Sequence, residues 1–154
     1  MFEPLTRFIG QLNAEPFGRW QVDTENDGTI EHPFRMPFVR YGRAVDGLVE
    51  AVYAFTEAHG EMGLKNYSGI LAESGVAWDM KSMTEADVSG MDGRAVVALL
   101  LGAVRMERFC DGALLGFLEN GSVGKWLARL GEIDGAGRGG QAGEAPRSGE
   151  GAKE

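Results

Sequence analysis

The chain has 154 residues, of which 44% are hydrophobic and 25% charged, so one folded domain with its own core is expected. Its net charge is -8, and residues 1–91 hold fourteen Asp and Glu against seven Lys and Arg. Binding to nucleic acid or to anionic lipid requires an excess of Lys and Arg. The charge therefore argues against nucleic-acid and membrane partners.

Cysteine content and apolar runs predict the compartment. The single cysteine, Cys110, excludes a disulfide within the chain and a metal site made of cysteines. Met1–Pro4 lacks the basic start of a signal peptide. The longest apolar run, 95–104, is well short of the roughly 20 residues of a membrane span. A cytoplasmic protein is expected, and the absence of phosphate-binding glycine motifs favours no cofactor.

The N-terminal third predicts a helix followed by a small β-hairpin. Leu5, Phe8, Ile9 and Leu12 recur at helical spacing and predict a helix over 4–13. Trp20 alternates with polar neighbours, and the turn-forming segment 23–28 follows. The hairpin is therefore expected near Trp20–Ile30, with Thr29–Glu31 as its second strand. Pro33 and Pro37 predict an extended segment through Val39.

Helical patterns dominate the remainder. They predict a helix over 43–59, a second capped by Asn66 and ended by Gly75, and an irregular or extended segment over 76–83. Residues 89–92 have capping-box spacing. The segment 94–109 is apolar on nearly every face, which is typical of a helix buried all round.

Two further helices and a tail complete the prediction. A short helix around 114–118 is expected to end at Gly121, and a last helix begins at Ser122 and ends at Gly131. The glycine-rich residues 135–154 predict a disordered tail after a domain of residues 1–134. The fold class is mainly α, with about six helices around a central buried helix and a small β-hairpin in the N-terminal third.

Four motifs resemble an uncharacterised bacterial family. They are 36–41 (MPFVRY), 105–112 (RMERFCDG), the turn 25–29, and 118–122 with Lys125–Leu127. This pattern is similar to the domain of unknown function 6508 over about 17–134. The family carries no established activity, so the resemblance implies a domain without implying a reaction. It also implies an association with ADP-ribose-binding macrodomains, none of which is recognised in this sequence. The glycine-rich tail departs from the family pattern.

The strongest candidate site lies at the end of the central helix. Arg105 and Arg108 are three residues apart and can share a helix face, and two guanidinium groups can bind a carboxylate or phosphate. Asp111 and Tyr41 are possible neighbours. The alternative interpretation is structural, with both arginines capping the last helix carbonyls and pairing with Glu107 or Asp111. Cys110 beside these arginines is a weak candidate nucleophile, since no histidine is near it in sequence.

Other residues give weaker signals. His32 and His59 lack metal-ligand spacing, and one histidine with carboxylates such as Asp23, Glu25 or Asp27 would make only a poor metal site, so no metal is expected. The three tryptophans and three tyrosines are more typical of a core than of a ligand stack. Lys125 and Arg129 on the last helix are too few for strong DNA binding.

Two functions remain open. The leading hypothesis is a non-catalytic accessory or protein-interaction domain, because no complete catalytic constellation is present. It predicts an unknown protein partner and an exposed apolar patch. The alternative is a binding domain or enzyme for a small anionic ligand, such as a nucleotide or an ADP-ribose-like molecule. It predicts a cavity in which Arg105 and Arg108 converge.

Overall fold

The computed structural model describes residues 1–22, 28–31 and 37–142, with side chains described up to residue 136. The predicted N-terminal helix is present as two short helices, α1 (Glu3–Thr6) and α2 (Phe8–Leu12), with a break at Arg7. Pro4 lies in the first turn of α1, where its missing N–H costs no hydrogen bond. Leu5, Phe8 and Leu12 are buried, as their spacing predicts, whereas Ile9, which was predicted to share their face, is 38% exposed.

The small sheet pairs different strands from those predicted. Strand β1 (Gly18–Gln21) is antiparallel to β2 (Phe38–Tyr41), with Trp20 opposite Val39. The prediction of Thr29–Glu31 as the second strand was wrong. Ile30 is 100% exposed, whereas Val39 is buried. A strand pairs stably where one of its faces can be buried, and β2 provides such a face.

The next helices follow the predictions with local corrections. They are α3 (Arg43–Ala58), α4 (Tyr67–Glu73) and α5 (Met80–Glu85), with 3₁₀ turns at Gly60–Met62, Leu64–Asn66 and Val88–Gly90. Asn66 makes no side-chain cap. The prediction of an irregular or extended segment over 76–83 was wrong in its second half, where α5 begins, because the Asp79 Oδ1 atom accepts a hydrogen bond from the Ser82 amide at 2.7 Å.

The central helix is confirmed as α6 (Gly93–Glu107), which packs against α3, α4 and two later helices. Every residue from Ala95 to Val104 is buried. Asp92 caps this helix by accepting a hydrogen bond from the Ala95 amide at 2.9 Å, instead of completing a box with Ser89. Burying all faces of one helix lets the other helices pack around it.

Two helices follow the central one, α7 (Ala113–Glu119) and α8 (Ser122–Ala142). The predicted end of the last helix at Gly131 was wrong. Leu130 is fully buried and Ile133 packs against the core, so tertiary contacts continue the helix past this glycine. The predicted tail starts inside α8, and its residues 143–154 lie outside the described residues. Among the described helices, none has the length and apolar content needed to cross a bilayer.

Candidate ligand-binding cavity

The two arginines of the predicted site lie in different environments. Arg105, in the last turn of α6, is half-buried and lines a cavity. Arg108 follows the end of the helix, is exposed, and does not line that cavity. Of the two predicted arginines, Arg105 therefore lines the cavity and Arg108 does not.

Tyr41 and Glu107 form a separate polar cluster at the start of α7. The Tyr41 hydroxyl donates a hydrogen bond to the Glu107 Oε1 atom at 2.8 Å and accepts one from the Leu115 amide at 2.9 Å. The same carboxylate accepts hydrogen bonds from the amides of Gly112 and Leu114, at 3.1 and 2.9 Å. These contacts satisfy amide groups that the first turn of a helix leaves without intrahelical partners. The role of this cluster is to hold α7 against β2 and α6.

The environment of Tyr41 keeps its hydroxyl protonated. Burial raises the pKa of Tyr41 far above its ordinary value, and the neighbouring Glu107 carboxylate raises it further. Asp111 is exposed and adds a smaller contribution in the same direction. The Tyr41 hydroxyl already donates one hydrogen bond and accepts another within the protein. Its role here is therefore structural.

The cavity beside Arg105 lies between α3, α4 and α6 and has a volume of about 380 Å³. This volume is at the lower end of the range for small-molecule sites. The lining combines apolar and aromatic surface with a few charged groups: Tyr53, Thr56, Glu57, Lys65, Tyr67, Leu101 and Arg105. Tyr53, Thr56 and Glu57 share one face of α3, because residues three and four apart on a helix are neighbours.

The charged groups of the cavity are not equally paired. Lys65 Nζ lies 3.5 Å from Glu57 Oε2, and both side chains are largely exposed. No residue in the described part of the chain accepts a hydrogen bond from Arg105 or forms an ion pair with it, and its Nε atom is buried without a partner. A half-buried cation without an anion is costly. The cavity thus presents one uncompensated positive charge in an acidic protein.

An aromatic row supports one wall of the cavity. The rings of Tyr67 and Trp78 meet edge to face, with their centroids 5.2 Å apart. Trp78 Nε1 donates a hydrogen bond to the Gly102 carbonyl oxygen at 2.9 Å. The Trp78 ring also meets the Phe109 ring edge to face, with the centroids 6.2 Å apart. These contacts fix the position of Tyr67. The sequence pattern predicted Tyr53 and Tyr67 as core residues and gave no signal at Lys65.

An exposed apolar surface lies at the turn between α6 and α7. Phe109 is 73% exposed and Trp20 is 47% exposed. The Trp20 ring of β1 lies directly against Gly112, which belongs to the same turn as Phe109. Both rings are therefore exposed apolar surface near this turn.

The remaining candidate residues have structural partners or lie outside the described part. His59 stacks on Phe55 at 4.1 Å, and its Nδ1 atom lies 3.1 Å from Glu61 Oε2. Lys125 donates to the carbonyl oxygens of Thr84 and Ala86. Arg129 donates to the Met91 carbonyl oxygen, and Cys110 is exposed.

The described residues contain no cluster of three or more metal-binding side chains. His32 and Asp23, Glu25 and Asp27 lie outside the described ranges.

Comparison with known proteins gives one match. Curated proteins and solved structures yield no similar chain. The family of unknown function (DUF6508) matches residues 73–135, which extend from the end of α4 into α8 and contain Arg105. The motif at 36–41, which also suggested this family, lies before the matched segment. Residues 73–135 thus match the model of the family of unknown function DUF6508, the family that the motifs around Arg105 and Lys125 resemble.

Proposed function

We propose that this chain is a small-molecule-binding domain that takes a small anionic ligand into the cavity between α3, α4 and α6. The observation that carries the proposal is the half-buried guanidinium of Arg105, which lacks an anionic partner among the described residues. A ligand carboxylate or phosphate would supply the missing acceptor through charge-assisted hydrogen bonds. The proposal retains Arg105 from the predicted arginine pair and assigns no ligand contact to Arg108.

The proposed role is binding without catalysis. The residues that line the cavity include no His, Cys or Asp, and the Thr56 hydroxyl already donates to the Val52 carbonyl oxygen at 2.9 Å. A hydroxyl or thiol nucleophile with a histidine beside it is therefore missing from this lining. We place the protein in the bacterial cytoplasm, where an exposed free thiol such as Cys110 stays reduced.

A thermal-shift experiment on the full chain tests the proposal with benzoate, inorganic phosphate and AMP as probes. An anion that binds only the folded state stabilises the protein by about 2.7 kcal/mol when its concentration is about one hundred times its Kd. We expect at least one probe to raise the Tm of the wild type and of Arg108→Ala, and to leave Arg105→Ala unchanged. Arg108→Ala is the matched control, because it removes an exposed arginine three residues away.

Two results would contradict the proposal. One is a Tm increase that persists in Arg105→Ala, provided that circular dichroism shows the same helix content as in the wild type. The other is the absence of any shift with all three anions in the wild type at millimolar concentration.

A second candidate function is supported by the surface at the α6–α7 turn. We propose a protein-interaction role through the exposed rings of Phe109 and Trp20. Aromatic residues at the centre of an interface dominate binding energy. A protein partner should be captured by the wild type and by Ile9→Ser, and lost with Phe109→Ser. Ile9 is 38% exposed and is the matched control. Equal capture by all three proteins would contradict this role.

A further inference from the structure

The balance of charge in the cavity limits the charge of its ligand. Lys65 and Glu57 lie 3.5 Å apart and compensate each other, which leaves the single positive charge of Arg105. A carboxylate carries one negative charge and matches the planar fork of a guanidinium. A phosphate monoester carries about -1.5 to -2 at pH 7, so part of its charge would stay uncompensated. The charge balance therefore favours a monoanion.

The positions of these groups give the ligand an orientation. The side chains of Lys65 and Glu57 are 83% and 69% exposed, so they lie at the rim. Arg105 is half-buried beside Leu101, which is buried in the central helix. A ligand that meets Arg105 therefore places its charged group inward, and its apolar part contacts the surrounding cavity wall.

The cavity wall favours a flat ring as this apolar part. Tyr53 and Tyr67 both line the cavity, and Tyr67 is fixed by its edge-to-face contact with Trp78. A ring held in place offers an aromatic ligand a stacking or edge contact without further loss of side-chain freedom. A saturated ring of equal size gains the same apolar burial but lacks this aromatic contact.

We propose that the cavity binds a small aromatic monocarboxylate, with its carboxylate on Arg105 and its ring against Tyr67. This inference rests on the proposed function and narrows it. It disfavours the nucleotide and ADP-ribose-like ligands that the sequence suggested, because each carries more negative charge than the cavity compensates.

Ligand-observed NMR titrations of the full chain test the inference with four matched probes: benzoate, cyclohexanecarboxylate, phenyl phosphate and AMP. We expect benzoate to bind about three times or more tighter than cyclohexanecarboxylate, from the aromatic contact. Phenyl phosphate and AMP should bind more weakly than benzoate. Arg105→Ala should weaken benzoate binding about tenfold or more, and Tyr67→Leu should remove the preference for benzoate over cyclohexanecarboxylate.

Glu57→Gln tests the charge balance directly. This substitution at an exposed position releases Lys65 and gives the cavity a second uncompensated positive charge. Phenyl phosphate should then gain affinity relative to benzoate by about threefold or more, from the additional charge contact. An unchanged ratio would overturn the argument from charge.

The remaining outcomes separate this inference from the proposed function. If phenyl phosphate or AMP binds the wild type more tightly than benzoate and Arg105→Ala abolishes that binding, the inference fails and the proposed function stands. If cyclohexanecarboxylate binds as tightly as benzoate, the aromatic requirement fails. If no probe binds in an Arg105-dependent manner, both fail.

Discussion

Tyr41 and Glu107 are 66 positions apart in the sequence and meet at the first turn of α7. Their hydrogen bonds occupy the amides of Gly112, Leu114 and Leu115. An aromatic residue on a strand and an acidic residue at a helix end are each unremarkable in sequence. Their contribution to helix α7 depends on a contact that only the folded chain forms.

Replacing Tyr41 by Phe should destabilise the fold by about 1–3 kcal/mol, because the Leu115 amide loses its acceptor in a partly buried position. Urea unfolding at neutral pH measures the free energy of unfolding. Tyr53→Phe is the matched control, since no hydrogen bond of its hydroxyl is found among the described residues, and it should change stability by less than about 0.5 kcal/mol. Equal stability of the two variants would refute the capping role.

The pH dependence of the same pair has a defined sign. The pKa of Tyr41 is raised in the folded state above the ordinary value of 10.0. The folded chain therefore holds this proton more tightly than the unfolded chain, and the resulting stability is present below pH 10 and lost as the pH rises above it. The advantage of the wild type over Tyr41→Phe should shrink above pH 10 in the same urea experiment.

At the scale of elements, the turn between α6 and α7 is set by one glycine and one tryptophan. Gly112 has a φ of +90°, a left-handed conformation that other residues adopt at a cost. The Trp20 ring of β1 also occupies the space where a Cβ atom at position 112 would lie. The turn therefore couples the sheet to the helical core.

Gly112→Ala and Gly121→Ala separate the cost of the left-handed backbone from the cost of the contact with Trp20. Both glycines have positive φ, but a Cβ atom at Gly121 would meet nothing within 4 Å. Gly121→Ala should cost about 1–2 kcal/mol of unfolding free energy from backbone strain, and Gly112→Ala should cost more, because Trp20 must move. In a Trp20→Ala background the two costs should become equal. Equal costs in the wild type would argue against the constraint from Trp20.

At the scale of the whole molecule, the N-terminal residues meet helix α8. The Phe2 amide donates a hydrogen bond to Asp134 Oδ2 at 2.8 Å, and the Asp134 side chain is 8% exposed. The Phe2 ring packs against Gly93 at the start of the central helix. These contacts join α1, α6 and α8 in the part of α8 that lies beyond Gly131.

Asp134→Ala should lower the free energy of unfolding by about 1–3 kcal/mol, because the Phe2 amide loses its acceptor. Glu132→Ala removes a 68% exposed carboxylate from the same helix and should cost less than about 0.5 kcal/mol. Urea unfolding of both variants measures the difference. Equal costs would show that the contact between Phe2 and Asp134 contributes nothing specific.

Periodicity predicts an element well where the burial of its side chains is complete. The run from Ala95 to Val104 predicted the central helix, since a segment that is apolar on all faces has no stable place outside the core. The pattern at Leu5, Phe8 and Leu12 predicted the first helices for the same reason. The predicted second strand at Thr29–Glu31 failed, because strand pairing depends on which segment the core can cover.

The sequence by itself determined the helical class, the buried central helix and the position of Arg105 at its end. These features follow from the local spacing of apolar residues, because residues three and four apart lie on the same face of a helix. The tertiary structure decided the partners of β1, the length of α8, and the separation of Arg105 from Arg108, Tyr41 and Asp111. It also placed Tyr53, Lys65 and Tyr67 around Arg105. These features depend on contacts between residues distant in sequence, which no local pattern encodes.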